Sequence, residues 1–363
     1  MNNKYKFTTK SRNSIPFFSI CIPQYNRTDF LIKSIKSYSR QTFSDFELCI
    51  YDDNSNDGGE SKINAFLENS GLNYSYYASE VNGRYDVSLR SAIDMSKGRY
   101  VLLMGNDDGL ANDNTLELIY NQINTHKDIS VVVTNYIELT TNKKVERVHE
   151  TRVCGSGPRV AASIYRNYAF VSGILFDGYK ARCLSSDKVD GSEMYQMYLA
   201  TSIVSNGGSV LYIKDICVEK DLQIDGIVVD SYYNKEKERG CNIGKKILPM
   251  SRIFEVIMSG LEGSHYGKER EENLFLVASQ LYKYTYPYWI IEYKRVQSLC
   301  YSYGVYRALN PLTLYSNVHN FYFYNKVKLM FFYILIGLVG FITPIYFFDK
   351  VRPILYKLAK NTK

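Results

Sequence analysis

Near its start the chain runs Phe17-Phe18-Ser19-Ile20-Cys21-Ile22-Pro23-Gln24-Tyr25-Asn26-Arg27, an apolar run that turns polar at a proline. Phe17–Pro23 reads as a strand buried on both faces, and the polar residues after it as the loop at its carboxyl end. The same theme recurs downstream. Residues 28–40 predict a helix with Leu31, Ile32, Ile35 and Tyr38 on one face; Phe46–Tyr51 is a second strand, followed by a short helix over 60–69. Tyr74–Ala78, Tyr100–Met104 and Ile129–Tyr136 supply further strands, separated by helical patterns at 87–95 and 113–125. Strands alternating with crossover helices predict an α/β fold with a doubly wound, mostly parallel sheet.

In such a sheet, ligands bind beyond the carboxyl ends of the strands. Three of these ends carry polar clusters: Pro23–Arg27, Asp52–Gly58 and Asn106-Asp107-Asp108. Tyr25 can stack on a base, Asp52 can accept hydrogen bonds from base or ribose, and adjacent acids can hold a divalent cation. Turn and cap chemistry is the bland alternative, and Asn54–Gly58 reads as a cap for the next helix. Asp107-Asp108 resists that reading, because adjacent carboxylates repel unless something cationic joins them. The Asp108 carboxylate is expected to face solvent and ligand, not core.

In order, Pro23-x-Tyr25-Asn26-Arg27, Gln41-Thr42-Phe43, Asp52-Asp53-Asn54-Ser55-x-Asp57-Gly58, Ser96-Lys97-Gly98-x-Tyr100 and Asn106-Asp107-Asp108 resemble the motifs of family 2 inverting glycosyltransferases of the GT-A fold. The resemblance covers residues 15–220. It implies that Tyr25 and Asp52 contact the base of a nucleotide diphosphate-sugar, with Pro23, Asn26, Arg27 and Asp53 around them. It places the family's Asp-x-Asp motif on Asn106-Asp107-Asp108, with Mn²⁺ or Mg²⁺ on Asp108 and Asp107 toward ribose or phosphate. Asn106 replaces the first acid of that motif. Arg90 matches an arginine that serves either the diphosphate or an internal salt bridge. Glu193 stands where the family carries its general base, with Asp187 and Asp190 as substitutes. The Gln-x-x-Arg-Trp motif of processive synthases is absent, which implies transfer of a single sugar.

The remaining features bound the setting. A net charge of +7 without a basic stripe in the first 240 residues argues against nucleic acid. Seven dispersed cysteines with no Cys-x-x-Cys pair fit reduced thiols rather than a disulfide frame, and the polar start lacks a signal-like apolar region. Residues 138–160 are polar and read as a connection or flap, Tyr168–Phe176 as a strand, Ser192–Ser205 as a helix and Ser209–Val218 as a strand. Helical pattern dominates after about 225. Leu329–Phe348 is an uncharged run with the length of about 20 residues needed to span a bilayer, yet basic residues flank both sides. A monotopic or re-entrant pair with both ends cytosolic accommodates that charge better than a single span.

The expected organisation is therefore a GT-A domain over 15–220, a helical region over 221–326 and membrane-associated C-terminal helices over 327–363. The expected activity is inverting transfer of one sugar to a lipid-linked saccharide acceptor, at the cytoplasmic face of the bacterial inner membrane, in O-antigen or capsule assembly. Rival readings are a different nucleotide-using transferase and a non-catalytic membrane-bound scaffold.

Overall fold

In the computed structural model, which describes residues 6–10, 14–228, 252–263, 267–314, 318 and 320–361, the apolar runs of the first half form the middle of one sheet. Two compact units are present, one of residues 1–161 and 165–229, the other of 162–164 and 230–363.

The strands of the first unit are β1 (Lys6–Lys10), β2 (Phe18–Gln24), β3 (Phe46–Asp52), β4 (Asn73–Ala78), β5 (Tyr100–Leu103), β6 (Gly109–Leu110), β7 (Ile129–Glu138), β8 (Lys143–Val145), β9 (Arg152–Gly155), β10 (Ile174–Asp177) and β11 (Ser209–Lys220). They are ordered β1-β4-β3-β2-β5-β10-β7-β11-β6, with β8 on β7 and β9 on β11. β2, β3, β4 and β5 form parallel ladders, as do β7 and β11. β10 runs antiparallel between β5 and β7, so the sheet is mixed beyond its parallel half. The helices are α1 (Thr28–Ser39), α2 (Glu60–Asn69), α3 (Arg84–Asp94), α4 (Thr115–Asn124), α5 (Pro158–Ile164), α6 (Gly178–Cys183) and α7 (Tyr195–Ser205).

Sequence periodicity explains most of this. Phe18, Ile20, Cys21 and Ile22 of β2 are fully buried, as are Leu48, Cys49 and Ile50 of β3, as strands covered on both faces require. Helix α1 turns Leu31, Ile32, Ile35 and Tyr38 inward, the face its sequence predicts.

Three segments depart from the expectations, each for a local reason. Residues 138–160 are no flap: β8 and β9 pair at the sheet, and their exposed, charged side chains are those of short edge strands. Arg147 fixes this segment by donating to Thr134 O (2.7 Å), Phe170 O (2.8 Å) and Ser172 O (2.8 Å). Those bonds draw two of the 170–172 carbonyls away from strand pairing. Gly173 follows in a left-handed conformation (φ 78°), so the strand expected from 168 begins only at Ile174. Helix α7 starts at Tyr195 rather than 192, because Glu193 is itself left-handed (φ 61°).

The second unit holds helices α8 (Ile253–Gly260), α9 (Gly267–Gln280), a π-helical turn (Leu281–Thr285), α10 (Tyr286–Val296), α11 (Leu299–Ala308), α12 (Pro311–Leu314), α13 (Phe323–Ile342) and α14 (Ile345–Asn361). The uncharged 329–348 run is thus not one helix. Thr343 turns extended (ψ 118°) ahead of Pro344, as a residue before proline prefers. Among the described residues α13 is the helix long and apolar enough to cross a membrane, by length and composition only.

Candidate active site

Hydrogen bonds tie together the loops beyond β2, β3 and β5. Asp53 N–H donates to Gln24 O (2.8 Å), Asn26 N–H to Ser55 Oγ (2.7 Å) and Asn56 N–H to Asn26 Oδ1 (2.8 Å). Asn106 Nδ2 donates to Gln24 Oε1 (2.8 Å), and the Arg27 guanidinium pairs with Asp107 Oδ2 (3.2 Å). The three polar clusters found in the sequence therefore form one connected edge. Asp57 serves as a cap, but mainly across the edge: its Oδ2 accepts from Thr28 N–H (3.0 Å) and Thr28 Oγ1 (2.8 Å) at the start of α1, its Oδ1 from Gly59 N–H (3.1 Å).

Individual residues fall into distinct roles. Pro23 is the last residue but one of β2, and Tyr25 is 43% exposed, open to stacking. Asp52 is buried; its Oδ1 accepts from Ser55 N–H (2.8 Å) and its Oδ2 from Tyr76 Oη (2.9 Å). Burial raises the Asp52 carboxyl above the usual range, against those two bonds. Asp53, raised by burial too, accepts from Gly83 N–H and Arg84 N–H (2.7 Å each) and so holds the first turn of α3. Two shallow surface hollows, at Lys36, Arg40 and Phe66 and at Tyr51, Tyr77 and Asp94, include none of these candidate residues.

The acid pair differs from expectation. Asp108 does not face solvent: it is 3% exposed, its Oδ1 accepts from Asp221 N–H (3.1 Å), and its Oδ2 accepts from Ser172 Oγ. Ser172 Oγ in turn accepts from Gly105 N–H (2.8 Å). Burial, and next the charge of Asp107, push the Asp108 carboxyl from 3.8 to about 7. Asp107 is the more accessible acid, with 19% of its side chain exposed beside Arg27. The sequence missed this inversion because adjacent residues point to different sides of the chain. Gly105 has little room: a Cβ there would lie 2.9 Å from Asp108 Oδ2 and 3.1 Å from Asp107 Oδ1.

A second cluster surrounds Glu193. Asp86, on α3, accepts from Glu193 N–H (2.7 Å), Tyr195 N–H (3.0 Å) and Ser192 Oγ (3.3 Å). It thereby caps α7 from another helix and fixes the left-handed turn that presents Glu193. Asp53 holds the first turn of α3, and Asp86 on α3 holds Glu193, so the loop beyond β3 is linked through α3 to the candidate base. Arg90 pairs with Asp190 (2.6 Å), the internal bridge of the two roles open to it, and this engages one substitute base.

Sequence reasoning missed Asp86, Ser172 and Asp221. Asp86 had a faint signal as an acid in a first helical turn; Ser172 and Asp221 had none, since their partner is remote in sequence. Backbone conformation marks the same loops. Left-handed Asn and Asp are inexpensive, but Arg27 (φ 63°), Arg84 (φ 67°) and Glu193 (φ 61°) are not; Arg27 and Glu193 lie in these loops and Arg84 is the first residue of α3.

As to a cation, the available donors are hard carboxylate oxygens, suited to Mg²⁺ or Mn²⁺. Among the described residues no group of three or more His, Cys, Asp or Glu forms a ready cage. The fit lies in charge: a buried acid raised to near neutrality beside a second carboxylate is relieved by a divalent ion.

Comparison with known structures defines the class first. The fold resembles S. aureus TarS 1–349 solved with UDP-GlcNAc (TM-score 0.61, 14% identity, 88% of this chain and 90% of that one) and with UDP (TM-score 0.58, 15% identity, 88% and 89%). This is the GT-A architecture. Residues 19–180 match the family described as Glycosyl transferase family 2. Relatives include abequosyltransferase RfbV of Salmonella typhimurium, 33% identical over 31% of this chain and 34% of that protein. Chondroitin synthase of Escherichia coli is 26% identical over 60% of this chain and 31% of its own length. A PGL/p-HBAD biosynthesis glycosyltransferase of Mycobacterium bovis is 32% identical over 35% and 49%. The matched segments thus span between 31% and 49% of the length of these relatives.

Proposed function

We propose that the first unit binds a nucleotide diphosphate-sugar at the joined loops beyond β2, β3 and β5 and transfers its sugar with inversion. The observation that carries this reading is the hydrogen-bonded closure of Pro23–Arg27, Asp52–Asp57 and Asn106–Asp108 into one edge. Tyr25 stacks on the base and Asp52 accepts from base or ribose through its remaining lone pairs. Arg27, released from Asp107, faces the diphosphate. Asp107 and Asp108 would hold Mg²⁺ or Mn²⁺, which neutralises charge on the departing diphosphate. Glu193 accepts the proton of the attacking hydroxyl. Arg90, bridged to Asp190, orders the loop ahead of Glu193 instead of touching the donor.

The acceptor in this reading is a lipid-linked saccharide, met at the cytoplasmic face of the bacterial inner membrane. The abequosyltransferase and chondroitin synthase relatives support surface polysaccharide, of O-antigen or capsule type, as the product class. UDP-sugars are the first donors to try, because the TarS structures carry UDP and UDP-GlcNAc.

The test is a panel of UDP-, GDP- and CDP-sugars presented to the purified full chain with and without Mn²⁺, scoring binding by calorimetry and turnover by nucleotide release. Binding and turnover of one donor class, lost in Tyr25→Ala, support the proposal. Binding without hydrolysis or transfer in any acceptor mixture supports a non-catalytic scaffold, and no binding at all overturns both.

A further inference from the structure

Helix α13 is apolar on two opposite sides. Leu329, Tyr333, Ile336, Gly337 and Gly340 form a buried stripe. Val327, Phe331, Ile334, Leu335, Leu338 and Ile342 form another, at the same three- and four-residue spacing, and each is between 43% and 73% exposed. The buried stripe is tightly seated within its own unit. Tyr306 of α11 stacks on Tyr333 at 4.5 Å, and a Cβ added to Gly337 or Gly340 would lie 2.6 Å from Tyr306 or 2.5 Å from Ile290. The exposed stripe is covered by nothing among the described residues, and large apolar side chains in a row of that kind mark an interaction surface.

The surroundings identify the partner. No acid occurs between Phe323 and Phe348, while Lys326 and Lys328 flank Val327 at the start of the stripe and Lys350 and Arg352 follow its end. Exposed Tyr322, Phe323 and Tyr324 lie at one end and Tyr346 and Phe347 at the other. Aromatics and lysines at both ends, with apolar residues between, match the chemistry of a lipid interface. Self-pairing through the stripe would set these cations against their own copies, with no acid along it to offset them.

The packing also decides the orientation. Lys294 of α10 donates to Gly340 O (2.8 Å) and Thr343 O (2.7 Å) at the end of α13, and Arg295 and Arg352 approach Glu292 (3.5 and 3.7 Å) beside it. A crossing α13 would carry α10 and these charged groups into hydrocarbon, which is costly.

We infer that α13 lies flat in one leaflet of an anionic membrane, its 327–342 stripe in the acyl region and its cations on the head groups. This deepens the membrane setting of the proposed function but does not depend on sugar transfer; a chain that docks and transfers nothing leaves it intact.

The full chain is sedimented with vesicles of phosphatidylcholine alone or mixed with phosphatidylglycerol. Binding is expected to the mixed vesicles, weakened by salt, and lowered about tenfold or more by Phe331→Gln with Leu338→Gln, both solvent-facing changes that spare the fold. Thiols introduced separately by Lys326→Cys and Lys350→Cys are then exposed to an impermeant maleimide outside the vesicles, against the unsubstituted protein as background. Modification of both supports the in-plane helix. Protection of either one indicates a span and overturns it, as do equal binding by the double variant, no binding to the mixed vesicles, or a dimer in solution that the double variant abolishes.

Discussion

Replacing Asp108 by asparagine isolates the electrostatic cost built into the acid pair. The side chain keeps its shape: its amide oxygen can accept from Asp221 N–H and its amide nitrogen can donate to Ser172 Oγ, the two groups that now flank the carboxylate. What disappears is titration. The folded pKa of Asp108 is raised from 3.8 to about 7, first by burial and then by Asp107. Between these values the folded protein holds a proton that the unfolded chain releases, so stability from this group is complete below pH 4 and falls as pH rises to 7. At about 1.36 kcal/mol per pKa unit, the loss is about 4 kcal/mol, and it levels off above pH 7. Denaturant unfolding of both proteins in chelator, at steps from pH 4.5 to 8, gives a difference curve from which the carboxylates remote from Asp108 cancel, leaving the titration of the Asp107–Asp108 pair. The variant is expected to gain on the wild type through that window. At pH 8, added Mn²⁺ is expected to raise the unfolding midpoint of the wild type more than that of the variant. A flat difference curve, or a wild type that gains as pH rises, would refute the reasoning, because it would mean the fold already stabilises the ionised form.

Three further outcomes follow from the same geometry. Glu193→Gln is expected to lower kcat by about 10²- to 10⁴-fold with donor KM nearly unchanged, the mark of a lost base; an unaltered kcat in steady-state assays would remove Glu193 from the chemistry. Asp86→Ala removes the acceptor of the half-buried Glu193 N–H and the buried Tyr195 N–H and is expected to cost about 2–3 kcal/mol in chemical denaturation, with kcat falling alongside, while Asp86→Asn recovers part of both. Gly105→Ala forces a methyl against both carboxylates and is expected to destabilise by about 1–3 kcal/mol and to weaken the response to Mn²⁺, read by thermal shift.

The parallel half of the sheet was legible in the sequence because burial there is local. Phe18–Ile22 and Phe46–Ile50 are continuous apolar runs, α1 repeats every three to four residues, and Pro23, Asp52 and Asn106 mark the strand ends whatever packs around them. The ordered motifs over 15–220 likewise pointed to the family whose model matches residues 19–180. Three-dimensional packing decided the rest, since it depends on partners far away in the chain. Asp107 and Asp108 are chemically alike and adjacent, yet Ser172 and Asp221, from segments 64 and 113 residues downstream, select Asp108 for the interior. Asp86 reaches Glu193 across 107 residues, and Arg147 turns a polar stretch into part of the sheet by capturing carbonyls of 170–172. Hydrophobic periodicity records which face of an element is dry, whereas hydrogen bonds between remote loops leave no periodic trace, and those bonds shape the site.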